Sequence, residues 1–263
     1  MSSTSPPSAK DPRLEGRVDV DVRDMVATVT FSHPKSNSLP GALLRKMADE
    51  IASVGRYPSV KVIVLRSEGT GAFCAGASFD EMKAVSSTEG GKEFFSGFAR
   101  VTLAMIRAPQ FVITRVHGKV TGGGVGLIAA SDYSFAVQGA ALKLSELAVG
   151  IGPFVVGPAV ERKIGHGPFA ALSIDADWRD ASWGERHGLY SRVFSDVSQM
   201  DEGLDKLVRF LSDANPEAIR QLKQTFWADT GDWESLLESR AAISGSLALS
   251  HHTRAAIEKF EKR

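Results

Sequence analysis

Three short, largely apolar runs at 60–65, 111–116 and 133–137, the first dense in β-branched residues, are separated by segments of helical period. Runs this dense belong to strands covered on both faces, and such strands occur where a parallel sheet lies between layers of helices. Leu43, Leu44, Met47, Ile51 and Val54 recur at helical spacing and predict an amphipathic helix. Further helices are expected at 79–85 and 91–107, and a short strand at 141–144. Residues 18–22 and 25–31 read as paired strands with a turn near Arg23 and Asp24. From about residue 155 the chain is expected to be mostly helical. Asn215 and Pro216 read as the cap and first position of a helix whose Ala218, Leu222, Phe226 and Trp227 share a face, and a last helix is expected from about 252 to 262. This order predicts an α/β core over 15–200 and a C-terminal helical region over 201–263. Residues 1–14 are rich in Ser and Pro and lack an apolar stretch, so a disordered tail is expected rather than a secretory signal.

Composition removes several classes of function. Lys plus Arg and Asp plus Glu both total 31, so the basic excess typical of a nucleic-acid binder is missing. The same neutrality fits a self-associating protein. Cys74 is the single cysteine, which excludes an intrachain disulfide and suggests a reducing, cytoplasmic location. No apolar run approaches the length of a membrane span. His251 and His252 have no further ligands at metal spacing, so no metal is predicted.

Two small-residue loops are the candidates for chemistry. Residues 72–79, Ala-Phe-Cys-Ala-Gly-Ala-Ser-Phe, pass from a strand into a helix and so carry backbone N–H groups without intrahelical partners. Residues 122–126, Gly-Gly-Gly-Val-Gly, do the same. Small side chains let a ligand approach the backbone, and two such loops can form an oxyanion hole; tight helix–strand packing would also account for the glycines. The run is not a dinucleotide fingerprint, because the third required glycine falls at Leu127. Cys74 has no histidine nearby in sequence and reads as packing. His117 reads as a satisfied core or turn histidine, and Asp132 as a local cap. Trp178, Trp183, Trp227 and Trp233 read as core or subunit contacts.

Segment 72–79 resembles the first signature of the crotonase (enoyl-CoA hydratase/isomerase) superfamily, 116–124 its second and 144–151 its third. The resemblance runs from about residue 17 to the C-terminus. It implies an α/β crotonase (ClpP-like) spiral of ββα units with a C-terminal helical trimerisation region. It also implies an acyl-CoA substrate, with coenzyme A arriving as part of the thioester and no permanently bound cofactor. The N–H groups of Ala77 and Gly123 would hold the thioester oxygen and stabilise an enolate. Lys35, Ser36, Asn37, Leu39, Ala75, Phe79 and Gly122 would contact substrate or coenzyme A, and Lys259, Phe260 or Lys262 would reach the nucleotide. A homotrimer or hexamer is implied, with Phe94, Phe95, Phe98 and the helices after Trp227 as interface candidates or, failing that, internal core. Neither nucleic acid nor membrane is an expected partner.

The acid–base groups choose the reaction. Family hydratases use two glutamates; one matches Glu146, while the other position holds Gly126. One carboxylate suffices to move a double bond from 3,4 to 2,3, taking a proton from C2 and returning it at C4. Residues 152–154 and 161–166 also resemble mitochondrial-type Δ3,Δ2-enoyl-CoA isomerases. Isomerisation with Glu146 as base is therefore the preferred expectation. Hydration of an enoyl-CoA, including a methylglutaconyl type, is the alternative, with Asp80 or Glu81 as a recruited acid. The hydrolase branch of the superfamily shares the pattern at 124–127 but carries an aspartate where this chain has Pro153, Phe154 and Val155. A non-catalytic or RNA-binding homologue is the alternative of another class. Leu147, Phe154 and Phe79 are expected to supply an apolar wall that tunes Glu146.

Overall fold

The computed structural model describes residues 16–261, with the side chains of Phe260 and Glu261 left aside. The expected tail and Lys262 lie outside the described residues, as does the side chain of Phe260. The chain opens with a hairpin, β1 (Arg17–Arg23) and β2 (Val26–Ser32), paired antiparallel. Its two-residue turn puts Asp24 and Met25 at φ 48° and 66°, the positive pair that matches the twist of a hairpin. Along β2 the side chains alternate between buried and half-buried, so one face meets the core.

The main sheet runs β1-β2-β3-β4-β6-β8, and every pair after the first is parallel. Here β3 is Val62–Ser67, β4 Phe111–Val116, β6 Tyr133–Val137 and β8 Arg192–Phe194. The two strands expected at 111–116 and 133–137 have those bounds. β3 instead starts two residues late and takes in Arg66 and Ser67, because Arg66 pairs in register with Thr30 and Arg115. β8 is absent from the sequence reading: three residues between helices are too few to show a period.

After each core strand the chain contributes to a second, smaller ladder. Leu39 follows β2 and bridges Ala77; Cys74 and Ala77 follow β3; β5 (Val120–Thr121) follows β4; β7 (Leu142–Lys143) follows β6. Cys74 bridges Val120, which in turn pairs with Leu142. A helix follows each of these steps: α1 (Gly41–Val54), then α2 (Phe79–Ala84) with α3 (Thr88–Arg107), then α4 (Gly123–Ala129), and after β7 α5 (Gly157–Ile164). The unit is thus strand, ladder segment, helix, repeated by structure without sequence repetition. The loops that join ladder to helix all lie at the carboxyl ends of the parallel strands.

Helices α6 (His166–Asp175), α7 (Ala181–Arg186), α8 (Val197–Asp213), α9 (Pro216–Phe226), α10 (Trp233–Ala248) and α11 (His251–Glu261) complete the chain. The expected boundary at residue 200 falls inside α8, which packs on β3, β6 and β8 and so belongs with the sheet. In α9, Asn215 caps as expected, accepting from the N–H of Glu217. The buried face is different: Ile219, Lys223 and Trp227 point inward, while Leu222 and Phe226 are each 48% exposed. The buried lysine explains the shift, since a pattern reading puts Lys outside. Its ammonium donates to the carbonyls of Met105 and Gln110 and to Asp132. Asp132 is therefore no local cap; it accepts from the Val112 N–H, Lys223 and the Trp227 indole, tying α9 to β4.

Candidate active site

The loop after β3 is held on both sides. Ala75 N–H donates to Ser36, Leu39 N–H to Gly76, Ser78 N–H to Leu39, and Thr121 N–H to Cys74. In a parallel bridge the residues flanking the paired one make the bonds. Gly76 and Ser78 thus serve Leu39, and Ala77 keeps an N–H that donates to nothing among the described residues. Gly76 sits at φ 82°, where a Cβ would stand 3.1 Å from the Thr121 oxygen and 3.5 Å from the Gly123 nitrogen. That absent Cβ is what lets the two glycine loops touch.

Gly122 has φ 52° and ψ −122°, a region open to glycine alone. Its N–H donates to Lys143, and the kink starts α4 at Gly123, whose N–H is left without an intrahelical acceptor. The Gly123 N–H donates to no other group among the described residues. A Cβ on Gly123 would lie 2.2 Å from Phe98 Cζ, so the glycine gives room for that ring.

Glu146 stands between β7 and a short 3-10 turn, Leu147–Val149, and its carbonyl accepts from Val149 and Ile151. A Cβ on Gly122 would be 3.1 Å from Glu146 Oε1. Oε2 is sealed from solvent and has no hydrogen-bond partner among the described residues. Burial pushes the carboxyl up from 4.5 to about 7, against a weaker lowering by nearby backbone N–H groups. Ala75, Ala77, Phe79, Gly122, Gly123 and Glu146 line one cavity of about 70 Å³. Met82, Phe95, Phe98, Phe154 and Val156 supply apolar wall, and Ser145 and Ser244 two hydroxyls. Among the described lining residues Glu146 is the only ionisable one.

The remaining predicted residues fall elsewhere. Lys35 pairs with Asp80, which is held below the usual carboxylate range chiefly by that contact. Ser36 lends its carbonyl to Ala75. Asn37 is buried, accepting from His33 N–H and donating to Glu68 and Ala72, so its amide staples the loop. Leu39 is fully buried in the core. Lys259 is exposed on α11. Glu81 accepts from Gly41 N–H at 2.6 Å and so caps α1, which has Pro40 in the cap position. Neither Asp80 nor Glu81 lines the cavity.

Several roles are corrected. Phe94 and Phe98 are buried, and Phe95 and Phe98 line the cavity, so these rings are internal rather than interfacial. Leu147 is 50% exposed and takes no part in the wall around Glu146, because the 3-10 turn points it outward. His117 is buried, yet neither ring nitrogen has a partner among the described residues. The position of the missing second glutamate is also filled: a Cβ on Gly126 would meet Val156 Cγ1 at 2.4 Å and Cβ at 2.7 Å. Val156 and Ser244 were invisible in sequence, since each lies on a distant element with no motif of its own.

The whole arrangement matches known folds. An enoyl-CoA hydratase from Bacillus halodurans superposes with a TM-score of 0.84, covering 92% of this chain and 99% of that one at 19% identity. That likeness is one of fold, and it assigns the chain to the α/β architecture of that structure. Short-chain-enoyl-CoA hydratase of Clostridium acetobutylicum is 30% identical over 204 residues, 76% of each chain. Human mitochondrial methylglutaconyl-CoA hydratase is 30% identical over 191 residues, 71% of this chain and 56% of that one. Residues 21–263 match the enoyl-CoA hydratase/isomerase family, and the chain belongs to it.

Proposed function

We propose that this enzyme shifts the double bond of a short 3-enoyl-CoA to the 2-position, with Glu146 as the single base and acid. The supporting observation is that Glu146 alone among the lining residues can carry a proton on and off. The N–H groups of Ala77 and Gly123, which line one cavity and have no acceptor among the described residues, receive the thioester oxygen. Polarisation acidifies C2. Glu146 takes the C2 proton, the electrons form the 2,3 double bond as the 3,4 bond opens, and the same carboxyl returns the proton to C4. No atom is gained or lost. Two N–H donors in a dry site stabilise the enolate by several kcal/mol. A carboxyl lifted to about 7 is matched to both halves of the transfer near neutral pH. The Val156 contact at Gly126 supports the one-acid reading, since a second carboxylate has no room there.

Coenzyme A is proposed to lie across Ser36 and Ala75, with Lys35 exchanging Asp80 for a phosphate and the end of α11 near the nucleotide. Self-association into a trimer or hexamer belongs to the same proposal, supported by Ile174 and Phe210, which are 72% and 68% exposed. A cytoplasmic location is part of it as well.

Hydration is the second reading, favoured by the name of the Clostridium relative. The two separate in one assay on purified protein, offering 3-enoyl-CoA and 2-enoyl-CoA in turn and following mass. Isomerisation gives a product of unchanged mass from the first and no water gain from the second. Gain of water by the 2-enoyl thioester would refute the one-acid reading.

A further inference from the structure

The cavity contains a polar group that proton transfer does not use. Ser244 lies on α10, is 1% exposed, and lines the cavity. Its hydroxyl has no hydrogen-bond partner among the described residues, whereas Ser239 and Ser235 on the same helix each donate to a backbone carbonyl. A hydroxyl buried against apolar walls is costly unless something bonds it. Its position is fixed by the backbone. α10 crosses α3 at Gly245 and Gly91, where a Cβ on Gly245 would meet Lys92 N at 2.4 Å and Gly91 C at 2.6 Å. No side chain separates the helices there, and Ser244 lines the same cavity as the α3 rings Phe95 and Phe98.

Two further facts restrict the partner. Among the described residues that line the cavity none is a cation, so a second carboxylate on the acyl group would share an apolar space with Glu146 and find no counter-charge. The volume, about 70 Å³, is roughly half that of a cavity that accepts benzene, which leaves room for about three or four non-hydrogen atoms.

We propose that Ser244 is a specificity-determining residue, receiving a neutral hydrogen-bonding group at the far end of a short acyl chain. The preferred substrate class is then a short acyl-CoA bearing a hydroxyl or carbonyl, ahead of a plain hydrocarbon or a dicarboxylic acyl group. This rests on the acyl-thioester reading of the site but not on which reaction follows.

Binding separates the two. Titration calorimetry would compare butyryl-CoA, 4-hydroxybutyryl-CoA and succinyl-CoA on the wild type and on Ser244→Ala. The wild type should bind the hydroxy compound about two- to tenfold tighter than butyryl-CoA, the range of one neutral hydrogen bond, and succinyl-CoA weakest. Ser244→Ala should bring the affinity for 4-hydroxybutyryl-CoA down to that for butyryl-CoA, with the thermal unfolding transition of the variant as the separate check that it is folded. A preference that survives the substitution would overturn the assignment. So would tighter binding of butyryl-CoA by the wild type, the result expected if the hydroxyl merely holds water. Failure of all three thioesters to bind would instead remove the acyl-CoA reading beneath it.

Discussion

Glu146→Gln should make the protein more stable at neutral pH while removing its activity. The carboxyl is lifted from 4.5 to about 7 by burial, so folding opposes its ionisation. The unfolded chain loses that proton near pH 4.5 and the native state only near 7. Between these values the native state holds one more proton, and stability falls as pH rises, by about 1.4 kcal/mol per pH unit. The whole window amounts to about 3 kcal/mol, fully lost by pH 8. Glutamine has nearly the same shape and does not titrate. The comparison is therefore the difference between variant and wild type, in which the other titrating groups cancel. At pH 4.5 the two proteins should be close. At pH 8 the variant should be ahead by about 3 kcal/mol, or roughly 6–12 °C in Tm for a chain of this size. Thermal unfolding of both proteins across pH 4.5–8 measures it. The same ionisation should appear in wild-type catalysis, with kcat/KM falling about tenfold per unit below pH 7 because the base must be charged. A stability difference that does not change with pH would refute the claim that this carboxyl titrates from a dry site.

Two other expectations concern packing. Lys223→Met leaves Asp132 buried without its cation and should cost about 3–5 kcal/mol in urea unfolding; a loss below 1 kcal/mol would show that the pair contributes little. Gly126→Glu alone should destabilise by about 3 kcal/mol or more, because the new side chain starts inside Val156. Combined with Val156→Gly, it should fold and add water to 2-enoyl-CoA, read by mass; neither single change should do so.

The parts legible in sequence were those with a local cause. The strands at 111–116 and 133–137 announce themselves by density of apolar residues, α1 by its period, and α9 by Asn215 and Pro216. The glycine loops drew attention because small residues before a helix leave N–H groups unpaired. What failed depends on tertiary partners. Lys223 is buried only because Asp132 and two carbonyls meet it, and no periodicity contains that fact. Asn37 is expected near coenzyme A from the family resemblance alone, and the structural task of its amide, bonding the Glu68 and Ala72 carbonyls far away in sequence, has no local signal. The cavity wall draws on α2, α3, α10 and the segment before α5, and their convergence is a property of the fold alone.

The crossing of α10 over α3 has a consequence for how the enzyme is born. Ala77, Gly123 and Glu146 all emerge from the ribosome well before Ser244. Thr253 of α11, which bonds the Gly150 carbonyl behind Glu146, emerges later still. A nascent chain that had folded only its sheet would therefore hold the proposed reacting groups in an unfinished, wet cleft. In a wet cleft the burial that lifts the Glu146 carboxyl is missing, so on the proposed mechanism it would be too weak a base for the task. On the proposed mechanism, docking of the last two helices would dry the cleft and make the same residue a useful base. Catalysis by the proposed route should therefore begin only with the final step of folding, and a partly made chain should bind thioester poorly and turn over none.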